Sequence, residues 1–377
     1  MRIPQLFAAS IIAASFSFQA HAMTYAYISS PLDGLISQYR LDDTTGALSL
    51  VEQVRAGDQV NPMALSPDGK ALYAALRAKP YTVKSYLIDP ATGHLSEHGQ
   101  APLAESMAYL ATDRSGRYLL AASYGADLIS SQPLTADHMP GSDIHSVKTG
   151  PHAHSVRTDP SNQFAYAGNL GADQVLQYRL DASTGQLAPI GTGHVSTPAK
   201  TGPRHIAFSP DGRFLYVVGE MSGTVTAFAI DPKSGALTEA GAASGIPASL
   251  QLAHGEVRDA SNNNLEGDPT RRIWAADLRM SPDGKLLYMT ERTTSSVSAF
   301  GLDGASGKPV FLGNYPVEEK QPRNISFSPN GRWLLVTGEK SAVVGSYAIG
   351  EKGALKRVGE APSGKGALWV EVLQAKP

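Results

Sequence analysis

The sequence has 377 residues, a formal net charge of −2 and no cysteine. This length exceeds what one hydrophobic core usually supports, so we expect either two domains or a repeat architecture. No block of basic residues occurs, which argues against binding to nucleic acid or to an anionic membrane surface. Without cysteine the chain has no disulfides, no thiolate chemistry and no cysteine metal site.

The N-terminal residues have the pattern of a secretory signal peptide. Arg2 precedes an apolar run over Leu6–Phe18, and Ala20-His21-Ala22 forms a small-x-small cleavage site. The apolar run, at about 13 residues, is shorter than the roughly 20 residues that span a bilayer. We therefore predict a cleaved signal peptide at residues 1–22, a mature chain of one domain at 23–377, and a periplasmic protein with no membrane association after cleavage.

One β-hairpin motif recurs along the chain. Between Gly202 and Glu220, two apolar strands, Ile206–Phe208 and Phe214–Val218, flank a Ser-Pro-Asp-Gly turn. Related hairpins recur at intervals of roughly 47 residues, with one interval about 25 residues longer, and a period of this size is typical of propeller blades. The first residues of the six turns are Ser66, Asp113, Asp159, Ser209, Ser281 and Ser328.

A second turn signal, Asp-x-x-(Ser/Thr)-Gly in most units, follows the third strand, so each unit has four strands. Residues 24–50 lack a first strand, and residues 367–373 are a first strand with no partner. The sequence therefore predicts an all-β, seven-bladed propeller of four antiparallel strands per blade, closed by a blade that the two termini share. The long interval predicts an insertion near 242–272, expected to be a surface loop over one face. Blade geometry explains both turn motifs, and we assign them no chemistry.

Ionisable residues concentrate at the end of each hairpin opposite the turn. Two positions in each hairpin lie next to each other there, and in a propeller these ends surround the central channel on one face. Ordinary solvation of strand ends is the alternative explanation, but the repetition at matched registers favours a site for an anionic or polyhydroxylated ligand. The residues at these positions include Arg77, His154, Arg204, His205, Glu220, Asp277, Arg292 and Arg323.

Other histidines are weaker candidates. His145 and His152 precede the hairpin that contains His154 and are expected at the surface, whereas His254 lies in the insertion and could reach the site as part of a lid. No pair of histidines has metal-ligand spacing and no acidic cluster resembles a calcium loop, so we predict neither a metal nor another cofactor.

Several motifs in these positions resemble the seven-bladed propeller lactonases, the family of the propeller-type 6-phosphogluconolactonases and the fungal carboxymuconate cyclases. The resemblance covers the whole mature chain and implies that His154, Arg204, Glu220 and Arg292 are catalytic. The motifs are Asn61-Pro62-Met63, His154-Ser155, Gly202-Pro203-Arg204-His205, Glu220, Trp274-Ala275-Ala276-Asp277, Glu291-Arg292-Thr293, Gln321-Pro322-Arg323 and Gly338-Glu339-Lys340-Ser341.

The resemblance implies a carboxylic-ester hydrolase that acts on a small sugar lactone. Because 6-phosphogluconolactone is cytosolic, export favours glucono-1,5-lactone as substrate, with the 6-phospho form second. Either Glu220 or His154 would activate water, and Arg204 and Arg292 would face the oxyanion. The remaining residues of the site are expected to bind the substrate. They are Arg77, His205, Asp277 and Arg323.

Two alternatives stay open at this point. One is a propeller that binds a ligand or a protein without catalysis, although the signatures of WD40 repeats are absent. The other is a lactonising cyclase for a muconate-type diacid. We expect a monomer or a weak dimer.

Overall fold

The computed structural model describes residues 23–258 and 269–375. These residues form seven sheets, each of four antiparallel strands, which confirms the predicted all-β propeller. The predicted signal peptide, residues 1–22, lies outside the described residues. Within the described ranges, no helix has both the length and the apolar character needed to cross a membrane.

The strands follow one another with short connections. In chain order they are β1 (Thr24–Ser30), β2 (Leu35–Leu41), β3 (Leu48–Arg55), β4 (Val60–Leu65), β5 (Ala71–Leu76), β6 (Thr82–Ile88), β7 (Leu95–Pro102), β8 (Tyr109–Thr112), β9 (Tyr118–Ser123), β10 (Leu128–Pro133), β11 (His145–Lys148), β12 (Ala153–Thr158), β13 (Phe164–Asn169), β14 (Gln174–Leu180), β15 (Leu187–Ser196), β16 (Pro203–Phe208), β17 (Phe214–Gly219), β18 (Thr224–Ile230), β19 (Leu237–Ser244), β20 (Ala275–Met280), β21 (Leu286–Glu291), β22 (Ser296–Leu302), β23 (Pro309–Pro316), β24 (Pro322–Phe327), β25 (Trp333–Gly338), β26 (Val343–Ile349), β27 (Leu355–Pro362) and β28 (Trp369–Gln374).

Six blades take their four strands consecutively, and the seventh is shared by the two ends of the chain. In that blade the strand order is β28-β1-β2-β3, and β28 pairs with β1 from Thr24↔Gln374 to Ser29↔Trp369. The predicted closure is therefore confirmed. Pairing of this kind satisfies the backbone groups of β1 that would otherwise form an open sheet edge.

Buried tyrosines join neighbouring blades. Tyr27, Tyr166 and Tyr288, each in the second strand of its blade, are fully buried. Each hydroxyl donates to the carbonyl of a glycine in the second turn of the next blade: Gly93 at 2.8 Å, Gly235 at 2.7 Å and Gly353 at 2.9 Å. A buried phenol needs such an acceptor, so this turn supports its neighbour as well as its own blade.

The first strands of the blades line the central channel and run in the same direction. Their starts surround one mouth of the channel, which we call the strand-start mouth, and the turns that follow them surround the other, the turn mouth. The strands concerned are β4, β8, β12, β16, β20, β24 and β28.

The long connection between β19 and β20 approaches the strand-start mouth. Residues 242–244, which the sequence assigned to the insertion, belong to β19, so the connection covers 245–274. Its described part contains a short 3-10 turn at Ala248–Leu250 and returns to the propeller where the Gly255 amide donates to the Met221 carbonyl at 2.8 Å. The connection therefore passes next to Glu220, and it ends there, where the Ala275 amide donates to the Glu220 carbonyl at 3.0 Å.

Candidate active site

Bulges at the starts of the first strands position the candidate residues. Arg204 and His205 together lie opposite a single residue of β17, because the register shifts between Pro203 and Ile206. Equivalent shifts occur in β4, β12, β20 and β24. A bulge bends its strand and re-aims side chains, so the repeated irregularity lets polar groups from several blades converge on the channel.

A buried ion triad lies at the centre of this mouth. The Oε2 atom of Glu220 accepts a hydrogen bond from Arg204 Nε at 2.7 Å and lies 2.9 Å from Arg292 Nη2. The hairpin geometry had predicted that Arg204 and Glu220 are neighbours, and this is confirmed. Burial raises the pKa of Glu220, but Arg292 and Arg204 together bring it below its ordinary value, so the carboxylate is ionised.

The two arginines are fixed by backbone carbonyls of β20 and the residue before it. Arg204 Nη1 donates to the Ala276 carbonyl at 2.6 Å, and Arg292 donates through Nε to Trp274 and through Nη2 to Ala275, both at 3.1 Å. Each guanidinium keeps one Nη atom without a hydrogen bond to any residue in 23–258 or 269–375. Burial lowers the pKa of Arg204 to about 10, which leaves it charged at neutral pH.

Trp274 organises the edge of the triad. Its indole Nε1 donates to the free oxygen of Glu220 at 3.1 Å. One guanidinium, Arg292, lies 3.7 Å from the ring centroid, and a second, Arg258 of the insertion, lies 3.5 Å from it. The Tyr124 hydroxyl donates to the Arg258 carbonyl at 2.7 Å. The insertion therefore places a cation on the rim of the site.

His154 is a neutral imidazole beside these cations. Burial lowers its pKa well below the ordinary value, and the charges of Arg204, His205 and Arg323 lower it further. Its Nδ1 atom is buried and has no hydrogen-bond partner among the described residues. The ring meets Tyr124 edge-on, with 5.7 Å between centroids. This histidine has a nitrogen lone pair and no structural hydrogen bond that would occupy it.

His205 is held by a carboxylate. Its Nδ1 lies 2.7 Å from Asp277 Oδ1, and burial, followed by the charge of Arg204, lowers its pKa to about 3. A neutral ring that donates through Nδ1 carries its lone pair on Nε2, and that nitrogen is buried without a partner in the described part of the chain.

The Asp277 carboxylate is saturated with donors. Besides His205, Oδ1 accepts from the Leu278 amide at 2.9 Å, and Oδ2 accepts from Asn324 Nδ2 at 2.7 Å and from the Ile325 amide at 3.0 Å. The side chain of Arg279 lies 3.2 Å from the same oxygen. The residue is almost completely buried, so it positions His205 and links three blades.

Arg77 and Arg323 stand at the rim of a narrow cleft. Arg77 donates to Ser106 Oγ at 3.0 Å, and Arg323 lies 3.4 Å from Glu339. Burial, then the charge of Arg323, lowers the pKa of Arg77. The cleft has a volume of ≈10 Å³, room for about one water molecule, and its wall is formed by Asn61, Arg77, Ala108, Arg204, His205, Arg323, Leu368 and Trp369.

Three rings close the channel beneath this cleft. Tyr109, His205 and Trp369 come from three blades and meet edge-on, with centroids 5.0 to 5.8 Å apart. All three are buried. The strand-start mouth is therefore a shallow polar basin and does not continue through the molecule as an open pore.

The other histidines lie outside this basin or at its edge. His145 is in the outer strand β11, and His152 stacks on Tyr124 with 4.2 Å between ring centroids. In the insertion, His254 is exposed, and its Nδ1 lies 3.2 Å from the Gly255 carbonyl. No group of three or more histidine, aspartate or glutamate residues in the described ranges has the arrangement of a metal site.

Comparison with known proteins is consistent with this geometry. Residues 25–372 match the family model "Lactonase, 7-bladed beta-propeller". The chain belongs to the seven-bladed β-propeller lactonases. This lactonase-family propeller is 34% identical over 348 residues to a protein of Serratia proteamaculans named 6-phosphogluconolactonase, an alignment that covers 92% of this chain and 98% of the relative. The resemblance found in the sequence motifs is thereby confirmed.

Solved structures with the same fold include two relevant neighbours. The periplasmic gluconolactonase of Pseudomonas aeruginosa superimposes on this lactonase-family propeller with a TM-score of 0.79 and 26% identity, over 94% of this chain and 100% of that chain. A putative 6-phosphogluconolactonase of Bacteroides fragilis has a TM-score of 0.80 at 22% identity, over 95% and 100% of the two chains, and shows the shared fold.

Sequence reasoning missed three contributors to the site of this lactonase-family propeller. Trp274 is part of the motif that ends at Asp277, but the sequence analysis assigns it no function. A tryptophan three residues before an ionisable site position could have indicated that it lines the site. Trp369 belongs to the C-terminal strand, which is not followed by a turn and a second strand. The position of Trp369 relative to the other hairpins therefore could not be aligned. Arg258 lies in the insertion, which follows no repeat, so nothing in the sequence pattern identified it.

Proposed function

We propose that the protein hydrolyses the ring ester of a sugar aldonolactone, with glucono-1,5-lactone preferred and 6-phosphogluconolactone second. Membership of the lactonase family supports the reaction class. The names of the relatives divide between the two substrates, since the Serratia relative is named for the phosphorylated lactone and the Pseudomonas structure for gluconolactone. The predicted signal peptide favours the free lactone.

The observation that carries the proposal is the pair of neutral imidazoles beside fixed guanidinium groups. His154 and His205 lie with ring centroids 5.2 Å apart, and each has a nitrogen without a partner among the described residues. Arg204 adjoins both. A base and a cation next to each other supply what ester hydrolysis needs, which is a proton acceptor for water and a positive charge for the oxyanion.

His154, and not Glu220, is the general base in this proposal. Both Glu220 oxygens already accept hydrogen bonds from side chains of the site, whereas the Nδ1 atom of His154 has no hydrogen-bond partner among the described residues. A carboxylate held in this way is a weak proton acceptor. The role of Glu220 is instead to hold Arg204 and Arg292 in place.

The reaction then proceeds in two steps. Water attacks the lactone carbonyl carbon and transfers a proton to His154, and the negative charge that forms on the carbonyl oxygen faces the free Nη atoms of Arg204 and Arg292. The tetrahedral intermediate collapses with cleavage of the bond from the acyl carbon to the ring oxygen, which takes the proton back from His154. The product is the aldonic acid with a free hydroxyl group.

The remaining residues recognise the substrate. The lone pair of His205 Nε2 accepts a hydrogen bond from a sugar hydroxyl, and Asp277 fixes the tautomer that makes this possible. Arg77 and Arg323 hold distal hydroxyls, or a 6-phosphate when one is present. Arg258 stacks on Trp274 and contacts the substrate from the rim.

The direct test measures acid release from glucono-1,5-lactone and from 6-phosphogluconolactone with a pH indicator, corrected for spontaneous hydrolysis. We expect turnover of both, with the larger kcat/KM for the free lactone. Arg77→Gln should raise KM for the phosphorylated lactone more than for the free one, because arginine pairs with phosphate through two hydrogen bonds. Binding of either lactone without acid release would favour the non-catalytic propeller.

Export is part of the proposal and is tested separately. Expression of the full chain in a Gram-negative host, followed by fractionation and N-terminal sequencing, should give a periplasmic protein that begins at Met23. An uncleaved cytosolic protein would contradict export and would make the phosphorylated lactone the better candidate.

A further inference from the structure

The turn mouth of the channel contains a second and larger cavity. Its volume is ≈190 Å³, against ≈10 Å³ for the cleft at the strand-start mouth. Tyr109 belongs to both the cavity wall and the ring layer that closes the channel. Along β12, Thr158 of this cavity lies four residues from His154, which corresponds to roughly 13 Å of strand. The cavity is therefore separate from the proposed catalytic basin.

Three arginines from three blades line this cavity: Arg114, Arg157 and Arg279. Arg279 is neutralised, since it lies 3.2 Å from Asp277 and 3.8 Å from Glu371. Arg157 makes one long hydrogen bond, 3.5 Å to the Ile206 carbonyl. The side chain of Arg114 makes no hydrogen bond or ion pair with any residue in the described ranges. Two of the three guanidinium groups are thus available to a ligand.

The available arginines are close enough to repel each other. Although Arg114 is exposed overall, partial desolvation of its guanidinium in the cavity wall lowers its pKa, and the charge of Arg157 lowers it further. Two cations held together in a concave wall gain from a shared counter-ion, and guanidinium geometry suits the paired oxygens of a carboxylate or phosphate.

The acidic side chains of the cavity make no direct ion pair with Arg114 or Arg157 in the described ranges. Asp113 accepts from the amides of Arg117 and Tyr118, both at 2.8 Å, and from Asn162 Nδ2 at 2.7 Å, so it is occupied by its own turn. Glu371 accepts from Trp369 Nε1 at 2.7 Å, and burial raises its pKa.

One further group in the wall lacks a partner. Thr158 is 2% exposed and lines the cavity, and its hydroxyl has no hydrogen bond to a described residue. A buried hydroxyl without a partner costs free energy, and an acceptor oxygen of a ligand would relieve that cost.

We propose that the turn-mouth cavity is a binding site for a small anion with a carboxylate or phosphate group, held by Arg114 and Arg157 with Thr158 as an additional donor. This site is independent of lactone hydrolysis and lies on the opposite face of the ring. Arg279 forms its back wall through the ion pairs with Asp277 and Glu371.

Isothermal titration calorimetry of the mature protein at low, constant ionic strength tests the proposal, with inorganic phosphate and gluconate as separate probes. We expect at least one of them to bind, and Arg114→Gln and Arg157→Gln each to weaken that binding tenfold or more. Arg40→Gln is the matched control, because Arg40 is an exposed arginine of β2 and its loss removes the same charge. The two probes distinguish a phosphate ligand from a carboxylate ligand.

The anion could instead bind at the strand-start mouth, and Arg77→Gln identifies that case. Loss of binding in Arg77→Gln with wild-type affinity in Arg114→Gln and Arg157→Gln overturns the proposal, as does the absence of binding by both probes. Because Arg114 is exposed at the surface, its variant should fold normally even if Arg157→Gln does not. Turnover of lactone in Arg114→Gln should equal that of the wild type, whether or not the catalytic proposal is correct in its details.

Discussion

The turn end and the strand-start end of each hairpin differ in the interactions that their residues make. At the turn end, the first turn residue accepts a hydrogen bond from the amide five residues later, through Oγ of Ser209 (2.9 Å from the Phe214 amide) or through the carboxylate of Asp159 (2.9 Å from the Phe164 amide). At the strand-start end, the position five residues before the turn carries an asparagine, a histidine, an arginine or an alanine. The turns resemble one another because each needs a side-chain acceptor for the amide five residues later. The channel-facing positions have no such backbone partner, so their residues can differ from blade to blade.

The largest expected effect is at the strand-start end. His154→Ala should lower kcat for lactone hydrolysis by about 10²–10⁴-fold, which is the usual contribution of a positioned base. The variant loses no hydrogen bond of Nδ1 in the described structure, but the melting temperature should fall because removal of a buried ring leaves a cavity. His145→Ala in the outer strand β11 is the control, with unchanged turnover. A folded His154→Ala enzyme with wild-type kcat would remove His154 from the mechanism.

Glu220→Gln should show how strongly the buried triad contributes to stability. The substitution leaves Arg204 and Arg292 buried without their counter-charge, and removal of one partner from a buried pair costs about 3–5 kcal/mol. Glu339→Gln is the matched control, since Glu339 occupies the same hairpin position in a half-exposed pair with Arg323 worth about 0–1 kcal/mol. Urea denaturation measures both. If Glu220→Gln and Glu339→Gln lost the same unfolding free energy, burial of the triad would not increase its contribution to stability.

Acid should destabilise the fold through His205. Its pKa is about 3 in the folded protein and has an ordinary value of 6.5, so the unfolded chain binds the proton first and stability falls as the pH drops from 6.5 towards 3. Between about pH 7.5 and pH 5 this residue alone accounts for a loss of about 2 kcal/mol. Asp277 does not contribute there, because its pKa lies below the ordinary value of 3.8.

The comparison that isolates this effect is His205→Gln against the wild type, both unfolded in urea at the two pH values. The variant should show the smaller loss on acidification. Groups common to both proteins, including Glu371, cancel in the difference. An identical pH dependence in the two proteins would show that His205 is not held neutral by the fold.

The smallest effect is expected at the turn end. Ser209→Asp should leave stability and kcat close to the wild type, because Asp113 and Asp159 fill the same role in other blades. Ser209→Ala should cost about 1 kcal/mol, the usual value of one hydrogen bond, again without a change in kcat. Thermal denaturation measures the stability of both variants, and the lactone assay measures their kcat. A large loss of activity in either variant would mean that the two ends are coupled.

This contrast also explains how much the sequence could predict. Repeated turns with local hydrogen bonds set the blade count, and the unmatched β28 and β1 revealed how the ring closes. Residues in register with the turns, such as Arg204 and Glu220, could be placed beside each other. The bulge that puts Arg204 and His205 opposite one residue could not be predicted, because counting residues from the turn assumes regular pairing along both strands of the hairpin.

Contacts between segments that are distant in sequence could not be predicted either. The five donors to Asp277 come from three blades, and a count of donors requires the folded structure. The same holds for Trp369, whose neighbours Tyr109 and His205 come from two other blades.

The closure of the ring by β28 has a consequence for the time at which the protein becomes functional. This strand supplies Trp369 to the cleft at the strand-start mouth and Glu371 to the turn-mouth cavity, and it is the last of the described strands to leave the ribosome. Six blades can therefore form while both cavities still lack part of their walls. A chain shortened before β28 would lose part of the wall of both cavities and leave β1 as an open sheet edge, so ligand binding at both mouths should disappear together with ring closure.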